Sequence, residues 1–252
     1  MINIVIPMAG MGKRFADAGY KDPKPFIDVL GKPMIQHVIE NLDMKDARFT
    51  LIARKEHVQN YGDLISKLQK KFSLSLITID KLTEGTACTV LFARKFINSN
   101  EPLLIANSDQ IVDFDCQDFI DDARSRGLDG SILTFIDAER NPKWSFAKTD
   151  EKGIVSEVQE KKAISEFATV GIYYFTKGSE FVDGAIDMII QNDRVNNEFY
   201  TCPVYNYMIR EGKKIGIYNI EASAMHGTGT PEDLMTYISK HLKIIEGKAN
   251  GN

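Results

Sequence analysis

At 252 residues, 43% hydrophobic and 26% charged, the chain has the composition of one large α/β domain or two small ones. A net charge of -4 argues against a nucleic-acid partner and still permits a local basic pocket for a small anion. No apolar run approaches the roughly 20 residues of a membrane helix, and no basic leader precedes the first strand-like run. The three cysteines, Cys88, Cys116 and Cys202, form no CxxC pair. The expectation is a cytoplasmic protein in a reducing setting, away from membranes, with the cysteines as packing residues.

The opening "INIVIPM" is a continuous apolar run, as a strand buried on both faces requires. In "GKPMIQHVIENL", Pro33 suits a first helical position, and Ile35, Val38, Ile39 and Leu42 recur at helical spacing. "FTLIA" reads as the next strand, followed by a polar helix over roughly Glu56 to Lys71 and the strand "LSLITI". "GTACTVLFARKF" reads as a helix and "PLLIA" as a strand. Strands and helices alternate to about residue 126, which predicts right-handed βαβ units and a doubly wound, mostly parallel sheet.

Beyond that point the pattern changes. "GSILTFI", "SFAKT", "IVSEVQE" and "ATVGIYYF" are four strand candidates with little helix between them, an antiparallel excursion. Helices return near Ser179 to Gln191 and Cys202 to Glu211. "GTPEDLMTYISKHL" predicts a final helix, with Thr230 as its cap, Pro231 at its first position and Asp233 in an acidic first turn. The expected fold is a Rossmann-like α/β domain over 1–246, with a nucleotide half to about 126, an acceptor half from about 127, and a fraying tail over 247–252.

The loop "AGMGKRF" follows the first strand directly. It is not a Walker A loop, since Arg14 stands where Ser or Thr is needed, nor a dinucleotide fingerprint, since Phe15 occupies the third small position. A loop of bare N–H groups around a triphosphate, with Lys13 or Arg14 on its β- and γ-phosphates, remains, beside a plain turn with exposed cations. Ten residues on, "DPKPFI" holds Lys24 between two prolines, which restrict the direction in which it points.

"AGMGKRF", "DPKPFI" and "GKPMI", in that order, resemble the nucleotidylyltransferases that make sugar nucleotides, the sugar-1-phosphate pyrophosphorylases. The resemblance continues to "GTPEDL" near the C-terminus. It implies that a phosphorylated small molecule attacks the α-phosphorus of a nucleoside triphosphate and releases pyrophosphate. Arg14 would stabilise the leaving pyrophosphate, Lys24 would hold the α-phosphate, and Met8, Ala9, Gly10, Met11, Gly12 and Lys13 would wrap the nucleotide. In "DKLTEGTACTV", similar to the family's base-recognition loop, Gly85 and Thr86 fit the loop's end. Asp80 stands where uridine and thymidine enzymes carry Gln. An ionised Asp only accepts, which favours CTP, then GTP; Glu84 is an alternative reader, and Asp80 as a mere strand end is the other reading.

The resemblance further implies Mg²⁺ on Asp109, at the end of "PLLIANSD". The family's second metal Asp, in "DxGT", falls on Gly227 here, so His226, another carboxylate, or phosphates and water would complete the site, or catalysis is lost. Asp113 and Asp115 form a "DFD" of the sort glycosyltransferases of a related fold use for metal, although solvated loop carboxylates are the preferred reading. On the acceptor side, "EK…GIY" would supply Glu160 and Lys161, with Gly171 admitting a close backbone approach, and Glu198 would take sugar hydroxyls. Arg194, Asn196 and Asn197 add polar capacity nearby, and Trp144 would pack in the core or wall the pocket. The acceptor would be a sugar 1-phosphate by family norm, or a non-sugar such as phosphocholine or a phosphorylated amino acid, and an oligomer is left open. Products of this kind usually feed capsule or other surface-polymer synthesis. A glycosyltransferase using "DFD" and a silent nucleotide-binding regulator are the competing readings.

Overall fold

The computed structural model describes the backbone of residues 1–249 and the side chains of residues 1–242. Its strands are β1 (Ile2–Pro7), β2 (Asp28–Val29), β3 (Lys32–Pro33), β4 (Ala47–Arg54), β5 (Leu74–Ile79), β6 (Leu103–Ala106), β7 (Gln110–Val112), β8 (Gly130–Ile136), β9 (Ser145–Thr149), β10 (Val155–Glu160), β11 (Phe167–Phe175), β12 (Ile215–Ile220) and β13 (Met225–Gly227). Its helices are α1 (Lys13–Asp17), α2 (Met34–Leu42), α3 (Lys55–Asn60), α4 (Gly62–Lys71), α5 (Thr86–Val90), α6 (Arg94–Ile97), α7 (Cys116–Ser125), α8 (Gly178–Ile190), α9 (Val204–Arg210) and α10 (Pro231–Ala249).

The main sheet runs β10-β9-β11-β6-β1-β4-β5, with β8 pairing β11 and β12. The β1–β4, β4–β5 and β1–β6 pairs are parallel. The chain therefore winds outward from β1 to β5, then returns to place β6 on the other side of β1. The strand order reverses between β1 and β6, and a crevice opens at their carboxyl ends, where ligands bind in open α/β sheets. The second half adds antiparallel strands: β11 pairs β6, β8 and β9, and β9 pairs β10. The Rossmann-like fold and the antiparallel excursion are both present.

Apolar side chains from the two faces of the sheet form two cores, one containing Ile4, Phe49 and Phe119, the other Val5, Phe175 and Tyr205. Some expected elements differ in detail. The helix over 56–71 breaks at Tyr61, whose ring stacks on Phe26 at 4.4 Å while its hydroxyl donates to Asp22 at 2.6 Å. The run 85–96 forms two short helices separated by a 3-10 turn at Leu91–Ala93. Pro33 precedes α2 rather than opening it, because it closes the β2–β3 hairpin. Two pairings were not expected: β12 lies parallel to β8, and β13 lies antiparallel to β7. Thr230 does cap α10, accepting from the Asp233 N–H at 3.1 Å. α10 continues to Ala249, so 247–249 of the tail expected to fray are helical, and 250–252 lie outside the described residues. No described helix is long and apolar enough to cross a membrane.

Candidate active site at the strand-order reversal

Two adjoining cavities occupy the crevice, of about 550 and 540 Å³. Both are within the size range of small-molecule sites. The first is walled by residues 7–13 and by Leu82, Thr83, Gly85 and Thr86. The second is walled by Ser145, Glu160, Lys161, Tyr173 and Tyr200. Arg14, Lys24, Asn107, Asp109, Glu198 and Gly229 line both.

Local sequence explains the shared wall. Gly12 has φ 60°, and a Cβ there would stand 3.3 Å from the Lys24 Cβ, so the loop folds tightly over the lysine. Lys24 opens a 3-10 turn whose Pro25 and Phe26 are buried, which anchors the residue from below. Its Nζ lies 2.6 Å from Asp109 Oδ2. Asp109 occupies the turn from β6 to β7. The β7–β13 pairing brings Thr228 alongside, and its N–H and hydroxyl donate to the Asp109 carbonyl at 3.1 and 3.0 Å. A side chain at Gly229 would crowd the carboxylate, at 2.9 Å from Oδ2.

Lys24, Asp109 and the loop residues Met8 to Arg14 thus converge as expected. Asp80 does not. Ile79 turns inward at the end of β5 and is buried, so the next side chain faces outward. Asp80 is 79% exposed and 3.6 Å from Lys55, outside both cavities. Its placement gives the case for CTP made from Asp80 no support. Glu84 also lies outside; it is paired with Arg194, whose guanidinium covers the Phe199 ring at 4.2 Å. Gly85 has φ 131°, and a Cβ there would come within 2.3 Å of the Phe199 carbonyl oxygen. Its role is to let 84–86 pack on 198–201, where Thr86 Oγ1 accepts from the Thr201 N–H at 3.1 Å.

His226 likewise lies apart from these two cavities. In β13 it alternates with Gly227, so Gly227 borders the second cavity while the imidazole turns away to Asp113, 2.8 Å from its Oδ2. The other carboxylate of "DFD", Asp115, caps α7 by accepting from the N–H groups of Gln117 and Asp118. Neither Asp113 nor Asp115 lines either cavity. Among the described residues no three His, Cys, Asp or Glu side chains converge. The oxygen chemistry of Asp109, beside a cavity also lined by Asp233, suits a hard cation that draws its remaining ligands from phosphate and water.

In the second cavity, burial pushes the Glu160 carboxyl up from its ordinary value; Ser145 and Lys161 oppose the rise and Glu198 adds to it. Glu160 accepts from the Ser145 hydroxyl. Lys161 has φ 55° and donates from Nζ to the Tyr200 hydroxyl at 2.5 Å. Burial and the neighbouring Glu198 raise the Tyr200 phenol. Gly171 lines the second cavity, as expected for a close backbone approach, and has Asn107 packed over it, whose Nδ2 would lie 2.2 Å from an added Cβ. Trp144 fills both expected roles, packing edge-on against Phe135 and lining the second cavity. Cys116 and Cys202 are buried, and burial raises all three thiols, Cys116 to about 12, which suits packing residues. Sequence reasoning missed Asn107, Ser145, Tyr200 and Thr201. A signal existed for two: Asn107 precedes Asp109 by two residues at a strand end, and Tyr200 follows Glu198 by two.

The fold and crevice define a Rossmann-like protein with two joined small-molecule cavities. The chain matches the family model described as Nucleotidyl transferase over residues 4–243, and it belongs to that family. It is 24% identical over 254 residues to mannose-1-phosphate guanyltransferase beta-A of Xenopus laevis, covering 97% of this chain and 66% of that protein. It is 26% identical over 174 residues to the mannose-1-phosphate guanylyltransferase catalytic subunit beta of Dictyostelium discoideum, covering 68% of this chain and 48% of the relative. The chain thus spans half to two-thirds of the length of these curated relatives. A nucleoside-diphosphate-sugar pyrophosphorylase structure from Vibrio cholerae RC9 superposes with a TM-score of 0.80 at 24% identity, covering 94% of this chain and 99% of that one, a likeness of fold.

Proposed function

We propose that the chain transfers a nucleoside monophosphate from a nucleoside triphosphate to a phosphorylated small molecule and releases pyrophosphate. The observation that carries this reading is the meeting of two cavities at Arg14, Lys24 and Asp109. One cavity has the N–H-rich loop a triphosphate needs, and the other has hydrogen-bonding side chains for a second substrate. The guanylyltransferases among the relatives are named for transfer to mannose 1-phosphate, which supports a sugar 1-phosphate as acceptor.

In this reading the loop 8–14 wraps the triphosphate, and Arg14 meets the charge that grows on pyrophosphate. Lys24 turns from Asp109 to the α-phosphate. Asp109, with Asp233 on the same cavity wall, would hold Mg²⁺, which when bound screens the phosphate charge. The acceptor phosphate is ionised at neutral pH and needs no general base. Glu160, Lys161 and Glu198 position it for in-line attack. The base lies against Leu82, Thr83 and Gly85. With Asp80 outside the cavity, no side chain there favours CTP over GTP, so the proposal stops at a nucleoside triphosphate.

The test is pyrophosphate release with Mg²⁺ from CTP, GTP, UTP, dTTP and ATP, each against a panel of sugar 1-phosphates and phosphocholine. Release with one triphosphate–acceptor pair supports the reading. Binding of a triphosphate without release from any pair supports the silent regulator instead.

A further inference from the structure

A third cavity of about 330 Å³ adjoins the acceptor side. Lys143, Trp144, Gly227 and Asp233 line both, so the two spaces are neighbours across one wall. Gly227 contributes no side chain to that wall, and an added Cβ would meet nothing nearer than the Met225 Cε at 3.7 Å. Gly227 itself therefore puts no side chain between the two spaces.

The third cavity has a definite chemistry. Trp144 and Tyr237 supply rings, and Lys143 and Lys240 supply cations. Lys143 Nζ sits 4.7 Å from the centre of the Trp144 ring, which keeps its charge at the junction. His226 also lines the space, but Asp113 takes its Nε2 at 2.8 Å. The lysines are the cations open to a ligand. Asp233 lines both cavities, so the wall between them also carries the carboxylate proposed above to share Mg²⁺ with Asp109.

We infer that the third cavity is the far end of the acceptor site and takes a second anionic group, a carboxylate or phosphate, on an acceptor whose reacting phosphate lies at Arg14 and Lys24. The inference rests on the transferase reading proposed above, which it deepens by naming the acceptor class. Lys143 and Lys240 would grip the distal anion with charge-assisted hydrogen bonds.

Trp144 is the only tryptophan in the chain and stands at the junction, so its fluorescence reports binding without turnover. The full chain is titrated with glucose 1-phosphate, glucuronic acid 1-phosphate and glucose 1,6-bisphosphate in the presence of Mg²⁺. At least one of the doubly anionic compounds is expected to bind about tenfold tighter than glucose 1-phosphate. Lys240→Ala, outside the first two cavities, should erase that advantage and leave glucose 1-phosphate unchanged. Equal affinities, an advantage that survives Lys240→Ala, or no response to any of the three overturns the inference. Pyrophosphate release with the same compounds and each triphosphate reports separately on the transfer reaction. A Lys240-dependent advantage without release would keep the anion site and discard the transfer.

Discussion

The two cavities that meet at Asp109 are built by different means. The one at the end of β1 is walled chiefly by one short stretch, 7–13, in which Gly10 and Gly12 carry no side chain, and by Leu82, Thr83, Gly85 and Thr86, where Gly85 carries none. The one beneath β11 is walled by side chains from distant segments: Ser145, Glu160, Lys161, Tyr173 and Tyr200. Backbone N–H groups grip a phosphate whatever is attached to it. Side chains read one shape and one set of hydroxyls. In the proposed reaction the first cavity holds the group common to every triphosphate, and the second makes the choice of acceptor.

The largest expected effect lies where the two cavities share a cation. Arg14→Ala should lower the rate of pyrophosphate release about a thousandfold, the scale for removing a charge that acts in the transition state. Arg14 is exposed, so the melting temperature should hardly move. A large drop in melting temperature with a modest rate loss would make Arg14 structural and blur the contrast between the cavities.

The seam between the halves is the next place to break. Gly85→Ala puts a Cβ against the Phe199 backbone at a φ of 131°, so it should cost about 2–4 kcal/mol in denaturant unfolding. Affinity should fall on both sides, because the displaced strand of chain carries Glu198 and Tyr200 as well as the base loop. Weakening of the triphosphate alone would mean that the two cavities are mechanically independent.

That seam also marks how far the sequence could be read. The loop at 8–14 and the Lys24 turn are legible because glycine spacing and flanking prolines act over neighbouring residues. The four parallel strands announce themselves as apolar runs, and the antiparallel excursion as runs without helices between them. Contacts made at long range were not legible. Nothing near Gly171 in the chain names Asn107 as its occupant, and nothing near His226 shows that β13 would pair with β7 and turn the ring toward Asp113. Asn107 and Thr201 belong to the site only through register and packing between strands and loops far apart in the chain.

The second cavity carries a pH signature at Glu160. Burial, the largest influence, raises the Glu160 carboxyl above its ordinary 4.5, so the folded state binds that proton more tightly than the unfolded chain. Stability is full below the ordinary value and is lost as pH rises through the raised one. Glu160→Gln cannot ionise and still accepts from Ser145. Its melting temperature should therefore exceed that of the parent at about pH 8 and approach it near pH 4. An unchanged slope would place the titrating group elsewhere.

The smallest effect sharpens the comparison from the other side. Asp80→Gln installs the residue that the sequence resemblance implies at this position for enzymes of uridine and thymidine nucleotides. If side-chain identity at 80 read the base, preference would move toward UTP or dTTP. Asp80 instead faces Lys55 across 3.6 Å in solvent, where an ion pair contributes about 0–1 kcal/mol. The variant should keep the parent's triphosphate ranking and melt within a degree or two of it. The residue to vary for the base is Thr83, whose hydroxyl donates to the Gly85 carbonyl at 3.0 Å and shares a hydrogen bond with Thr89 at 2.6 Å. Thr83→Val removes both bonds beside Gly85, so a changed ranking there, with none at Asp80, would assign base choice to the cavity wall. A shift at Asp80 alone would require 80–84 to swing inward on binding and would move the reading of the base back to that side chain.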